Sequence, residues 1–150
     1  MSLRQHLEQQ VTRLTELQSL LEQEQLVLGD GQIDGDQLQQ LATQKQTLQQ
    51  DIEKSEAKRR AAQVKLGFDE SGRGASAAAE QAGCGDVWQQ LLERTQRVAQ
   101  LNSLNGELIQ HRLHHNQQML NILRDAAGGT AMYGADGNQE KTPQRINSKA

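Results

Sequence analysis

The sequence is short of cysteine, proline, aromatic residues and long apolar runs, and each shortage excludes a class of protein. A single cysteine, Cys84, cannot form an internal disulfide and fits a reducing compartment. No run approaches the roughly 18 apolar residues of a membrane-spanning helix. Helical patterning starts at Ser2, which predicts no signal peptide. With a net charge of -3, no basic block and 2% aromatic residues, a nucleic-acid surface is also missing. We therefore expect a cytoplasmic protein with no nucleic-acid partner and no membrane insertion.

Glutamine and leucine, both good helix formers, are the commonest residues, and Pro143, the only proline, lies near the C-terminus. Apolar residues recur in steps of three and four in three long segments, which is the period of an amphipathic helix. These segments predict an all-α protein with helices over residues 2–28, 37–66 and 87–126.

The first two predicted helices are separated by the Asp- and Gly-rich segment 29–36, which is typical of a turn with Asp34 or Asp36 as the following N-cap. A calcium loop starting at Asp30 would need ligands where Gln32 and Leu41 stand, so we reject it. A short turn between helices of similar length predicts an antiparallel hairpin. Its second helix has an apolar seam that Lys45, Ser55 and Arg59 weaken.

Residues 67–86 are rich in Gly, Ala and Ser and are predicted as a linker, in which "ASAAAEQA" could form a transient helical turn. Asp86 is the expected N-cap of the third helix, which carries a wider apolar band than the other two. Gly128 and Gly129 are expected to end this helix. The prediction is thus one helical domain over 1–126, a hairpin plus a long third helix, followed by a flexible tail over 127–150.

Two features of the sequence are candidates for enzymatic or metal chemistry. Glu107, His111 and His115 share one helical face, but the order of a zinc-protease helix is absent, and no matching motifs occur on the other helices. Cys84 lies near a predicted helix start, but no base or orienting group is indicated for it. We predict no enzyme activity, no metal and no cofactor, with a metal-dependent helical enzyme as a rival interpretation.

Two other features favour protein–protein contact. Asn105 and Gly106 are poor helix residues in the middle of the third helix, which suggests either close approach of another backbone or a tolerated weak position. Tyr133, the only tyrosine, lies among glycines in the predicted tail. Such a segment is either incidental or a short linear ligand that docks reversibly.

The predicted hairpin, the long third helix with "LNSLNGELI" and the tail with "MYGADG" together resemble the FlgN-type flagellar export chaperones. The resemblance implies a cytoplasmic, non-enzymatic chaperone of flagellar type III secretion. Such a protein binds the C-terminal helical region of hook-associated (hook–filament junction) proteins, prevents premature assembly and delivers them to the export gate. The implied partners are these proteins, the cytoplasmic receptor domain of the gate, and the export ATPase complex.

The wide apolar band of the third helix, facing thin seams on the other two, predicts uncovered apolar surface where a substrate helix binds. The resemblance places contact with the export gate at Tyr133. The expected substrate-binding residues are Leu101, Asn102, Leu104, Asn105, Leu108, Arg112, Leu113 and Asn116. Leucine-seamed helices also suit a homodimeric coiled-coil scaffold without a secretion role, which is the alternative interpretation.

Overall fold

The computed structural model describes residues 1–131, with side chains through residue 126, and contains four helices in that range. They are α1 (Leu3–Gly29), α2 (Gly35–Lys65), α3 (Gly72–Gln81) and α4 (Gly85–Ala131). No strand occurs in residues 1–131, so the all-α prediction is confirmed. Tyr133 and the rest of the predicted tail beyond Ala131 lie outside the described residues.

The chain divides into two units, Met1–Leu108 and Ile109–Ala150. The first contains α1, α2, α3 and the start of α4. Within the second, the structure describes the rest of α4. The assignment of residues 1–126 to one domain stays a prediction.

Local capping explains where α1 and α2 begin. The Ser2 side chain accepts a hydrogen bond from the Gln5 backbone N–H, and the Gln5 side chain accepts one from the Ser2 backbone, which forms a capping box. Asp34 accepts a hydrogen bond of 3.1 Å from the Gln37 backbone N–H. Asp34, one of the two predicted caps, is therefore the N-cap of α2.

Side-chain contacts give the directions of the helices in the first unit. Glu24 of α1 contacts Lys45 of α2, and Gln10 contacts Glu56, so these two helices form the predicted antiparallel hairpin. Arg94 of α4 donates a hydrogen bond of 2.8 Å to Gln18 of α1. Further along both helices, Asn105 donates one of 2.8 Å to the Leu21 carbonyl, so α4 runs parallel to α1.

The core of the first unit has two clusters of buried apolar side chains. The larger joins α1, α3 and the start of α4, and the smaller joins α1 to the middle of α4. The larger contains Leu3, Leu7, Leu14, Ala78, Ala79, Cys84, Val87 and Leu91. The smaller contains Leu17, Leu21 and Leu101, with Leu48, Ile52 and Val98 packed against it. Leucine and alanine dominate both clusters, as expected for a chain with few aromatic residues.

The segment predicted as a linker contains a helix, α3, and this corrects the three-helix prediction. Gly67 and Gly83 directly follow the C-cap residues of α2 and α3 and have φ of 92° and 71°, which glycine adopts without steric cost. After α3, the Cys84 N–H donates to the Ala79 carbonyl and the Gly83 N–H to the Glu80 carbonyl. This is the Schellman pattern, and the end of α2 repeats it.

The composition of α3 allows it to pack closely in the first unit. Ala75, Ala78 and Ala79 are buried, and a Cβ on Gly74 would collide with the backbone carbonyl of Asp69. Ser71 caps the helix by accepting a hydrogen bond of 3.0 Å from the Gly74 N–H.

The bounds of α4 differ at both ends from the predicted helix. It begins at Gly85, so Asp86 lies in its first turn rather than at the N-cap, where its charge still favours the helix dipole. It ends at Ala131 instead of residue 126, with Gly128 and Gly129 inside the helix. A helical glycine costs only about 1 kcal/mol relative to alanine, so the pair does not force an end.

Arg59, predicted to weaken the seam of α2, is instead buried and fully engaged. Its guanidinium donates to Glu56 at 2.5 and 3.1 Å and to Gln63 at 2.6 Å, and lies 5.3 Å from the ring centroid of Trp88. The Gln63 amide in turn donates to the Asp69 carbonyl. Burial opposes ionisation of Glu56, but hydrogen bonds from Arg59 and Gln10 outweigh it and lower the Glu56 pKa to about 2.

We expect Glu56→Gln to destabilise the protein at pH 7 by about 1–2 kcal/mol, a figure reduced from the full pKa shift because the carboxylate is partly solvated. A carboxylate with a lowered folded-state pKa stabilises the fold above its unfolded pKa of about 4.5. That contribution is lost as the pH falls towards 2. Urea unfolding should therefore show a gap between parent and variant at pH 7 that closes below pH 3. Glu53→Gln, at an exposed position on α2, is the control and should show no such gap.

Candidate functional site

The second unit contains a strip of exposed apolar side chains on α4. Ile109, Leu113, Leu120 and Leu123 follow one another in steps of four, seven and three, which places them on one face of the helix. Between 37% and 61% of each side chain is exposed. Asn116 lies on the same face between Leu113 and Leu120, and we call these five residues the α4 strip. Met119 and Ile122, also exposed, lie outside the strip on the same helix.

Exposed apolar residues are normal when scattered singly, but a contiguous row of this kind marks an interaction surface. Burying a leucine side chain contributes about 1.5–3 kcal/mol, so the strip holds a large unused source of binding energy. Sequence reasoning included Leu113 and Asn116 in the site but omitted Leu120 and Leu123. The signal for them was present, because the predicted helix over 87–126 already includes both leucines at helical spacing, and α4 has 47 residues against 27 in α1 and 31 in α2.

The structure gives the predicted substrate-binding residues three different environments. Two of them are buried in the first unit, Leu101 and Asn105, each 1% exposed. Two are half-buried, Leu108 and Arg112. The other four are exposed: Asn102, Leu104, Leu113 and Asn116.

Asn105 is held in a buried polar cluster that fixes α4 against α1. Its amide nitrogen donates to the Leu21 carbonyl at 2.8 Å and to the Glu24 carboxylate at 2.9 Å. Glu24 is also buried and accepts hydrogen bonds of 2.9 and 3.0 Å from Lys45. Leaving a buried N–H or carboxylate unpaired is costly, so the pairing of the Asn105 nitrogen, Glu24 and Lys45 sets the axial register of α4 against α1 in the first unit.

Among the described residues no other backbone comes close at Gly106, so the alternative of a tolerated weak position stands. Asn105 reaches the Leu21 carbonyl, whereas a Cβ added at Gly106 would meet nothing within 4 Å. Gly106 is exposed, and the packing of the described residues does not require a glycine there.

The residues considered for metal or thiol chemistry are not gathered into a site. In residues 1–131, no group of three or more His, Cys, Asp or Glu side chains is placed to hold a metal ion. His111 and His115 are exposed. Cys84 is fully buried in the larger core cluster, and burial raises the pKa of its thiol, so it is a protonated core residue at neutral pH. None of the described helices is long and apolar enough to cross a membrane.

Comparison with known proteins identifies one family. The family model described as FlgN protein matches residues 1–141. The chain is 33% identical over 134 residues to the flagella synthesis protein FlgN of Salmonella typhimurium, covering 87% of this chain and 85% of that protein. It is 32% identical over 136 residues to the protein of that name from Escherichia coli, covering 91% and 88%. The Proteus mirabilis protein is 29% identical over 140 residues, covering 93% and 91%. No solved structure matches the chain.

Proposed function

The chain belongs to the FlgN family, and from this premise we propose that it is a cytoplasmic, non-enzymatic chaperone of flagellar type III export. It binds the C-terminal helical region of hook-associated proteins, keeps them unassembled and delivers them to the export gate. The observation that carries the proposal is the α4 strip, an apolar helix face that is exposed in the described structure.

The strip suits a substrate that is itself an amphipathic helix. A helix that lays its apolar face on another helix gains its energy from leucine-sized residues at steps of three and four, which is the spacing the strip offers. Helical termini that assemble in the flagellum present such a face and would associate too early if left uncovered. Covering that face is the chaperone activity we propose.

The predicted site residues then have two kinds of role. The exposed residues Asn102, Leu104, Leu113 and Asn116 are proposed to contact the substrate, with Leu108 and Arg112 beside them. Leu101 and Asn105 are proposed to act indirectly, because they pack α4 on α1.

Co-purification with hook-associated proteins tests this function. The chain should form a defined complex with the full-length protein and none with one that lacks its C-terminal helical region. Sedimentation of the chain alone tests the alternative, since a coiled-coil scaffold would be a stable dimer without any substrate. A stable dimer that does not bind hook-associated proteins would contradict the proposal.

We propose that Tyr133, outside the described residues, contacts the cytoplasmic receptor domain of the export gate. Tyr133→Ala should leave the affinity for hook-associated proteins unchanged and reduce their export several-fold, because an aromatic anchor of a short ligand carries much of its binding energy. Secretion into the medium and affinity in solution are the two measurements. Normal export by the variant would remove Tyr133 from the mechanism.

A further inference from the structure

The apolar pattern of α4 repeats every eleven residues. Eleven residues make three helical turns, so positions with this spacing share one face of a helix. The repeat relates Val98 to Ile109 and Leu120, Leu101 to Arg112 and Leu123, and Asn105 to Asn116. An asparagine therefore recurs at the same point of two successive repeats.

In the first unit the partner of this pattern is α1. Leu101 packs against Leu17 and Leu21, and Val98 packs against the same cluster. The amide nitrogen of Asn105 donates hydrogen bonds to the Leu21 carbonyl and to the carboxylate of Glu24, three residues further along α1. The recognised element is thus two leucines four residues apart and then a glutamate, on a helix parallel to α4.

In the described part of the second unit, most of the corresponding side chains are not covered. Ile109 and Asn116, the counterparts of Val98 and Asn105, are exposed, and Arg112, which stands in the place of Leu101, is half-buried. The next copy begins with Leu120 and Leu123, which are also exposed, so these copies display apolar residues and an asparagine of the kind that α1 covers in the first copy. Continuity of the pattern with an interface already formed on the same helix indicates what kind of partner fits.

Resting on the function proposed above, we infer that the substrate helix imitates the Leu17–Glu24 segment of α1. It lies parallel to α4 and presents two apolar residues four apart, followed three residues later by a carboxylate. That carboxylate accepts a hydrogen bond from the amide of Asn116, as Glu24 does from Asn105. Asn116 thereby sets the register of the substrate, and a helix without a suitable acceptor would leave this amide buried and unpaired.

The charge of the segment agrees with an acidic partner. Residues 109–126 contain Arg112 and Arg124 but only one acidic residue, Asp125. Arg112 lies one turn before Asn116 and places a positive charge near it. In the first unit, Lys45 places a positive charge beside the buried Glu24 in a similar way. A carboxylate near Asn116 therefore meets a favourable potential.

A second copy of this chain does not offer an available helix with two apolar residues and a carboxylate. Its own α1 matches the chemistry, but Leu17 and Leu21 are buried in its core and Glu24 is paired with Lys45. Making that face available would require the first unit to open. The occupant is therefore a helix from another protein.

The test uses Asn116→Asp in the full chain and a full-length hook-associated protein. Aspartate keeps the size of asparagine but removes the donor and places a negative charge opposite the carboxylate. We expect the affinity to fall at least tenfold with no change in the urea midpoint, since Asn116 is exposed in the free chain. Replacing the facing glutamate of the partner with glutamine should restore binding. Asn121→Asp, an exposed position away from the strip, is the matched control and should bind as the parent does.

Direction is tested by a photo-crosslinking residue placed at Leu113 or at Leu123. In a parallel complex, the partner residues captured from position 113 precede in sequence those captured from position 123. The reverse order, or full affinity of the Asn116→Asp chain, would overturn the inference and leave the chaperone function standing. Failure of the parent chain to bind any hook-associated protein would overturn both. Cross-links between two copies of this chain would show that the strip serves self-association.

Discussion

Replacing both Leu113 and Leu120 with serine should reduce the affinity for a hook-associated protein at least 100-fold without unfolding the chain. The two side chains are 58% and 54% exposed, so the described fold does not depend on them. On binding, each leucine would contribute about 1.5–3 kcal/mol, and every 1.4 kcal/mol is a tenfold change in the dissociation constant. Serine is a slightly weaker helix former, which costs about 0.5 kcal/mol at each position.

Isothermal titration with the parent and the double variant measures the affinity, and circular dichroism with urea unfolding measures the fold. The matched control is Leu26→Ser on α1, because Leu26 is even more exposed, at 74%, and lies in the first unit. Its affinity should equal that of the parent. Equal losses in both variants would mean that exposed leucines act nonspecifically, and full binding by the double variant would exclude the α4 strip as the capture surface.

Much of this fold follows from local patterns that depend only on neighbours along the chain. Steps of three and four predicted the all-α class and the hairpin, since a helix buries one face whatever it packs against. The Asp34 cap followed from a polar residue placed just before a periodic segment. The width of the apolar band predicted that the longest helix keeps uncovered surface, and the α4 strip is such a surface.

The helix α3 was not predicted because glycine is common both at the ends of helices and in flexible linkers. Gly67 and Gly83 end helices by adopting positive φ, but a segment containing several glycines also has the composition of a flexible linker. Alanines add to the ambiguity, since they bury little area and give a weak periodic signal. Ser71 as an N-cap, the run Ala75–Ala79 and the closing Gly83 together were the available signal.

The polar residues of the seam show a second limit of periodicity. The pattern places Lys45, Ser55 and Arg59 on the inner face of α2, and the structure agrees. These polar side chains do not weaken the packing of α2, because each has a partner. Lys45 pairs with Glu24, Arg13 donates to Ser55, and Arg59 is held by Glu56. Which side chains will pair across helices depends on the register between them, and one helix pattern does not contain that register.

Periodicity likewise shows that a residue faces a neighbour without showing which neighbour. Leu101 and Asn105, like Leu113 and Asn116, are a leucine followed within one helical turn by an asparagine, yet the first pair is buried against α1 and the second is exposed. Predicting all four as substrate contacts therefore combined residues that are buried in the fold with residues that are exposed.

Asn105→Asp should destabilise the protein by about 3–5 kcal/mol at pH 7. The substitution places a carboxylate where the Asn105 amide nitrogen now lies, 2.9 Å from an oxygen of the buried Glu24. Lys45 offsets only part of the repulsion, because its charge already balances Glu24. Breaking the pairing of a buried charge has costs of this size, whereas the exposed Asn102→Asp on the same helix should change stability by less than about 0.5 kcal/mol.

The pH dependence separates this charge effect from a packing defect. Repulsion raises the folded-state pKa of the new aspartate above its unfolded value of about 3.9. The loss of stability is therefore present at neutral pH and is relieved as the pH falls and the aspartate takes up a proton. Urea unfolding from pH 7 to pH 4 should show the gap between parent and variant narrowing, and a gap independent of pH would contradict the argument. The double variant with Glu24→Gln should recover much of the lost stability, since an amide then faces the carboxylate.

The same substitution at Asn116 should leave stability intact and weaken binding, because there the acceptor belongs to the partner. One change at two positions eleven residues apart thus tests whether α4 uses a single recognition pattern, first for its own fold and then for its substrate.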